Sequence, residues 1–484
     1  MSTKRSVRIG SGSSESSRVQ AYEVLEALRS CNPDQPISLH PMECESEVAA
    51  LRAALREGSI DIAVHSWKDL PLFADDTDSV LAVLPRADRR DVLLLKKTAL
   101  SRDSTSELCI LSSSARRKTN VGQSLPELLP AFRGSLSFRS VRGSVVDRVR
   151  TLMESQAQGI LVAKSALDRL LTSNAEDIQP AAAFLRAALS ELHFMVLPLS
   201  ESPCAAAQGA LAVEVRSDDA ELLEDVKRIS CKKTHEEVFA ERAITRRLGG
   251  SCAAALGVSV EVLPFGKVTS IRGTSSNGEN HAERLLEQEG VPFPRALAQN
   301  VFPQPREREG LFERRNVPCS IPDGAALWVA RVDGLPQGVD LHNRFIWTAG
   351  VTTWRKLAER GVWVHGCADG LGESMPPGID VLAGRPVSWL KLTHAASASE
   401  GEGAVLGTYE LLPATIPNLE GRTHFYWSSG SAFDACVRNN PGIVSGFHAC
   451  GPGATAAHLA KKLGPQGKLR IFLNETAWRQ EVLQ

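Results

Sequence analysis

The chain has 484 residues, a formal net charge of -1, a charged share of 23% and a hydrophobic share of 43%. That length sets an expectation of roughly two to four domains, in a composition ordinary for a globular protein in water. Near-neutral charge and an aromatic share of 5% argue against general nucleic-acid binding and against stacking platforms for single strands, while leaving local basic clefts open.

Cysteines are scattered from Cys31 to Cys450 with no C-x-x-C pair, so neither a zinc ribbon nor a redox dithiol is expected, and no metal site is read. Their density is too low for a disulfide scaffold, which points to a reducing cytosol. The N-terminal MSTKRSVRIGSGSS shows no apolar core of a secretory signal, and no apolar run is long enough to span a bilayer.

In chain order, residues 6–9 read as a strand, and the glycine- and serine-rich loop 10–16 leads into a helix over 17–29. Strand, small polar loop, then helix is an anion-receiving arrangement, because a helix start carries free backbone N–H groups. A second amphipathic helix is expected over 45–56, with Val48, Leu51 and Leu55 on one face. The apolar strand 60–64 ends in His65-Ser66-Trp67-Lys68-Asp69-Leu70-Pro71, where proline stops regular structure. Residues 91–95 read as a buried strand.

The same rhythm returns over 107–172. Strand 107–111 meets Ser112-Ser113-Ser114 and the basic helix start Ala115-Arg116-Arg117-Lys118. Strand 136–141 meets Arg142-Gly143-Ser144 and a helix over 145–154; strand 159–163 meets a helix over 164–171. Strands alternating with helices predict parallel α/β sheets, whose ligands sit at the carboxyl ends of strands. Two apolar segments flank Gln208-Gly209, and residues 218–273 read as helix, helix, strand, strand. A charged helix over 236–248 stops at Gly249-Gly250-Ser251, which presents Cys252. On spacing alone a buried structural thiol is the commoner role for such a cysteine. Text rich in Glu, Arg and Pro over 274–316 reads as a linker or edge segment, and a fresh α/β pattern runs from about 325 to the end.

Arg116, Arg117, Arg142 and Arg148 all fall at strand-to-helix junctions. Guanidinium forks bind carboxylates bidentately, so with Lys68, Ser113 and Ser114 they suggest a cleft for a ligand bearing several carboxylates or phosphates. Any one of them alone is as well explained as helix-surface charge. No glycine-lysine phosphate loop is present, which favours a polycarboxylate over a nucleoside triphosphate. Asp69 is either a turn residue bonding local N–H groups or a carboxylate that stabilises positive charge on a substrate or shuttles its proton.

The series HSWKDLP (65–71), SSSARR (112–117), FRSVRGSVVDRVR (138–150), AAAQGALAVEVR (205–216) and AERAITRRLGGSC (240–252) resembles the porphobilinogen deaminase (hydroxymethylbilane synthase) family, in its order and approximate spacing, over about residues 5–275. The resemblance implies an α/β fold with two periplasmic-binding-protein-like domains, residues 1–96 with 195–216 and residues 97–194. A small α+β domain carrying the cofactor cysteine follows over 217–305, then a further α/β domain over 320–484. It implies tetrapyrrole synthesis by a cytosolic transferase. Four molecules of the substrate porphobilinogen are joined head to tail with loss of ammonia, on a dipyrromethane cofactor held by a thioether to Cys252. Asp69 then stabilises the cationic azafulvene left as ammonia departs. Lys68, Ser113, Ser114, Arg116, Arg117, Arg142 and Gly143 match cofactor-binding positions, and Ser14, Ser66, Arg148 and Gln208 match substrate-binding positions. A monomer is expected, with no nucleic-acid or membrane partner.

Two departures stand out. The family carries an arginine in its first loop, T-R-x-S-x-L-A, where this chain has Gly12, and its F-x-K-E-L-E signature is replaced by EVAALRAAL. In the C-terminal segment, FYWSSGSAFDAC (425–436) and FHACGPGATAAHLAKKLG (447–464) resemble uroporphyrinogen-III synthase, which closes hydroxymethylbilane with inversion of one ring. The alternatives are a purely structural C-terminal domain and a non-catalytic polycarboxylate-binding protein.

Overall fold

The computed structural model describes residues 5–43, 46–72, 79–99, 105–249, 255–290, 292–304, 307, 311–336, 338–395 and 404–484. Its first sheet orders the strands Ile37–Met42, Val7–Gly12, Ile62–Ser66, Leu211–Arg216 and Ser79–Val83. The first three run parallel, and Leu211–Arg216 returns antiparallel between Ile62–Ser66 and Ser79–Val83. Helix Glu15–Cys31 covers one face, burying Val24 and Leu28 against Ile9, Ile62 and Val213.

The second sheet repeats the plan: Leu136–Arg139, Leu108–Leu111, Gly159–Ala163, then antiparallel Asp91–Lys96, then Leu192–Val196. Its strands read as near-continuous apolar runs because both faces are covered. Helix Val145–Glu154 buries Val146, Val149 and Leu152 on one face, and helix Ala115–Leu128 buries Val121, Leu125 and Leu128 on the other. Strand Asp91–Lys96 belongs to this second sheet, not to the first domain that the boundary at residue 96 implied. Apolar periodicity identifies a strand but not the sheet it joins. For the same reason Leu192–Val196 completes the second sheet, and helix Ala220–Arg228 joins the first domain's core through Leu222 and Val226.

A three-stranded antiparallel sheet, Ala255–Leu263, Gly266–Thr274 and Asn280–Glu287, packs on helix Lys232–Arg247. Residues 274–316 are therefore not only linker: they supply Asn280–Glu287, Val301–Phe302 and Phe312–Asn316. The C-terminal segment holds two sheets, where the sequence pattern implies one domain over 320–484. One sheet orders Phe312–Asn316, Ala404–Pro413, Trp389–His394, Ala326–Val329, Ile346–Thr348 and Gly366–Cys367. The other, wholly parallel, orders Val301–Phe302, His424–Trp427, Phe447–Cys450 and Lys468–Ile471.

Candidate active site

Three helices begin at the carboxyl edges of parallel strands, each with a serine cap. Ser14 accepts from Ser17 N–H, Ser114 from Arg117 N–H, and Ser144 from Asp147 N–H, the last closing a reciprocal capping box with the Asp147 carboxylate. Ser14 and Ser114, expected to serve ligands, thus spend hydroxyl acceptance on their helices, which satisfies N–H groups that otherwise lack partners. Ser113 ties the neighbouring loop instead, donating to Val141 C=O and accepting its N–H at 3.0 Å. Gly143 sits at φ +101°, where a Cβ would stand 2.9 Å from that of Asp147, so only glycine lets the loop turn there.

Asp91 organises the wall between the two sheets. Its carboxylate is fully buried and takes Arg117 Nη2 at 2.8 Å, Arg116 Nη2 at 2.8 Å and Gln208 Nε2 at 2.9 Å. Burial alone would push its pKa up, but the two guanidinium groups and the hydrogen bonds win and hold it far below the usual carboxylate range. The remaining terminal nitrogen of Arg116 donates to Pro203 C=O at 2.7 Å. The motif position implies that Arg116 presents a fork to a ligand; here each of its terminal nitrogens already has one partner in the wall. Gln208 is likewise occupied, by Asp91 and by Arg89 C=O at 2.7 Å. Arg117 differs: its Nη1 reaches Leu161 C=O at 3.3 Å, yet its buried Nε has no partner.

Strand Ile62–Ser66 ends in a single 3-10 turn, Trp67–Asp69, held because Trp67 is buried while Lys68 and Asp69 face out. Half-buried Ser66 closes the strand opposite Leu211. Lys68 reaches solvent but stands among the cleft walls. Desolvation therefore pushes its pKa down, Asp69 and Asp91 oppose that, and Arg117 and Arg148 add to it. Arg148 is pushed down by desolvation and then by Arg117, with Asp69 pulling the other way. Lys68, Asp69, Arg117 and Arg148 thus share one electrostatic neighbourhood although they come from three separate motifs. Arg148 donates through Nε to Gly143 C=O at 2.8 Å, which leaves its fork for other acceptors, and exposed Arg142 lies beside it in sequence. Cys252 lies outside the described residues; the helix before it ends at Arg247 and the strand after it begins at Ala255.

Sequence reasoning missed three acids. Asp91 opens an apolar run, which reads as a strand start rather than an ion-pair centre. Glu214 is buried and takes Arg52 at 2.7 and 3.1 Å and His65 Nε2 at 3.3 Å. Glu47 points into the first loop. A charged residue inside an apolar run is the only signal the sequence offers for the first two, since such residues are buried only when paired.

The arrangement is a polar cluster with cations in excess, one turn carboxylate and a buried guanidinium N–H without a partner. That donor set suits a ligand with several carboxylates. Among the described residues no group of His, Cys, Asp and Glu is placed to hold a metal, and no helix is long and apolar enough to cross a membrane.

A family model described as "Porphobilinogen deaminase, dipyromethane cofactor binding domain" matches residues 7–224. Proteins named porphobilinogen deaminase align with about half of the chain. That of Nostoc sp. is 28% identical over 280 residues, covering 54% of this chain and 79% of its own. That of Nitrosomonas europaea is 30% identical (52% and 75%), and that of Roseiflexus sp. 31% identical (52% and 81%). Among solved structures, full-length BenM covers 52% of this chain and 71% of its own at 16% identity, with a TM-score of 0.28, too small an overlap to argue from.

Proposed function

We propose, from the premise that this chain belongs to the porphobilinogen deaminase family, that it builds hydroxymethylbilane from four porphobilinogen molecules on a dipyrromethane primer attached to Cys252. The family joins porphobilinogen units in tetrapyrrole synthesis, and the matched domain is its dipyrromethane cofactor-binding domain. Cys252 lies beyond the matched residues, so its role as anchor rests on the loop motif alone.

What supports this reading is that Lys68, Asp69, Arg117 and Arg148, supplied by three separate motifs, act on one another electrostatically. Each pyrrole unit bears an acetate and a propionate. Lys68, Arg148, exposed Arg142 and the free Nε of Arg117 are the donors available to them, and a charge-assisted hydrogen bond is worth about 1.5–3 kcal/mol. When bound, the primer supplies a covalent tether and a terminal pyrrole carbon to attack the next unit. Asp69 stabilises the positive charge that develops at the substrate methylene as the C–N bond breaks and its electron pair leaves with ammonia. The same carboxylate receives the pyrrole proton released after the new C–C bond forms. Asp91 holds Arg117 in place, and burial of the wall behind it keeps the cleft's field strong.

Intact mass tests this. Purified protein should exceed the sequence mass by a dipyrromethane, and Cys252→Ser should carry no adduct; an unmodified wild type would sink the primer assignment. Asp69→Ala should lose turnover by two or more orders of magnitude, and near-normal bilane release would refute its role.

For the C-terminal segment the reading is a uroporphyrinogen-III synthase-like activity. Its support is the motif resemblance together with two α/β sheets that approach each other. His394 Nε2 of one lies 3.3 Å from Ser431 Oγ of the other, and a Cβ on Gly372 would stand 2.8 Å from the Gly453 Cα. Product from the full chain should be the type III isomer; type I alone would leave this segment structural.

A further inference from the structure

The first loop faces a carboxylate that the roles above leave unused. Strand Val7–Gly12 runs parallel to Ile62–Ser66, with Ile9 opposite Ile62 and Gly10 opposite Ala63. Continued two residues, that register sets Gly12 level with His65, just before Ser66 and the Trp67–Asp69 turn. Helix Glu47–Arg56 packs along both strands, and its first residue reaches the loop. Glu47 Oε2 overlaps the point that a Cβ on Gly12 would occupy, and Oε1 lies 2.9 Å from it. Glycine at this position is what makes room for the carboxylate. Ser17 Oγ donates to Oε2 at 3.0 Å and lies 2.9 Å from Ser14 Oγ. Half-buried Glu47 pairs with no lysine or arginine among the described residues.

A half-buried anion with only a hydroxyl partner, at the edge of a cleft where cations prevail, suits a cationic group on the ligand. Porphobilinogen has one: the ammonium of its aminomethyl arm, at the end that must meet Asp69. Its carboxylates already have Lys68, Arg142, Arg148 and Arg117. We propose that Glu47, seated by Ser17 and admitted by Gly12, binds the ammonium of incoming porphobilinogen. The proposal rests on the deaminase reading and names which end of the substrate this subsite recognises. Glu47 holds the amine protonated, which is the form that leaves: the C–N bond breaks, the electron pair goes to nitrogen, neutral ammonia departs, and the positive charge passes to the methylene beside Asp69.

The test compares porphobilinogen with its analogue bearing a hydroxyl in place of the amine. Glu47→Gln keeps an oxygen for Ser17 but loses the charge. It should raise KM for porphobilinogen about 10-fold or more, the fold-change expected for a lost charge-assisted bond, with kcat changed less. Inhibition by the uncharged analogue should stay as in wild type, and Glu47→Asp should recover part of the KM. Gly12→Ala should act in the same direction, because the added methyl displaces the carboxylate while the backbone at residue 12 needs no positive φ. Equal weakening of porphobilinogen and analogue would mean that Glu47 only shapes the loop, and no change in KM would remove it from the site; either result overturns the proposal. A wild type that consumes no porphobilinogen would refute the deaminase reading itself, a separate outcome visible before any variant is made.

Discussion

Asp91 collects the side chains of Arg116, Arg117 and Gln208 on one buried carboxylate, so its removal strands two guanidinium groups at once. Breaking a buried pair from one side costs about 3–5 kcal/mol, because a charge is left uncompensated. Asp91→Ala should therefore lower the thermal transition sharply and abolish activity, whereas Arg142→Ala, on an exposed side chain, should weaken turnover and leave the transition in place. Glu214 gives a second handle. Burial pushes its pKa up, but hydrogen bonds from His65 and Arg52 hold it down at about 2. A carboxylate lowered in the fold contributes stability above its ordinary pKa near 4.5 and loses it as pH falls toward 2. At about 1.4 kcal/mol per unit, the loss reaches roughly 3 kcal/mol. Acid titration of Glu214→Gln should lack that component. These acids also mark what the sequence left unreadable at this scale. The motif text placed Asp69, Lys68 and Arg148 together, but four arginines at strand ends look alike in a string. Only packing separates Arg116, whose terminal nitrogens reach Asp91 and Pro203, from Arg148, whose terminal nitrogens stay open.

Individual strands and helices followed from apolar period and from small-residue loops, which is why the strands 108–111 and 159–163 fall where expected, while the strand expected over 60–64 forms two residues later, at Ile62–Ser66. What periodicity does not encode is the partner sheet. Asp91–Lys96 and Leu211–Arg216 each enter a sheet antiparallel to its neighbours, and each was carried across a domain boundary by chain reversal rather than by any local signal. The strand pair around His365 shows a further contact between distant segments. Its carbonyl accepts Val196 N–H at 2.8 Å, joining the second sheet to the C-terminal segment, and its Nδ1 accepts Ile346 N–H at 3.2 Å. Burial, with His193 adding to it, pushes the imidazole pKa down to about 3. The neutral ring is thus the folded form, and the unfolded chain takes up the proton first. Stability is complete above about 6.5 and falls as pH drops toward 3, by about 2 kcal/mol at pH 5 from this group. Calorimetry at pH 7.5 and pH 5 should show the thermal transition moving down more in the wild type than in His365→Asn over the same interval.

At the scale of the whole chain, the C-terminal segment is built into the deaminase rather than hung from it. Trp354 packs in one core with Leu125 and Leu128, donating its indole N–H to Leu128 C=O at 3.0 Å, and Trp347 packs in another with Val146 and Ile160. Asp369 is where three regions meet. Its backbone is left-handed, φ +55°. Its carboxylate accepts Ser200 N–H at 3.0 Å and Ser200 Oγ–H at 2.5 Å, on the segment that returns from the second domain to the first. It also pairs with Arg284 Nη2 at 3.2 Å, on the third sheet. Glu201, next to Ser200, repeats the link by taking Arg272 at 2.8 Å and Arg355 at 2.9 Å. Such a junction joins the return segment, the third sheet and the C-terminal sheets into a single cooperative unit. Asp369→Asn tests this, since asparagine tolerates the left-handed backbone while the charge that holds Arg284 is gone. Loss of a charge-assisted bond predicts about 1.5–3 kcal/mol. Hydrogen exchange should rise together in residues 197–203, in Asn280–Glu287 and around Gly366–Cys367, and deaminase turnover should fall although residue 369 is remote in sequence from Asp69. Faster exchange confined to the C-terminal sheets, with turnover intact, would show instead that they are docked without being coupled to the cleft.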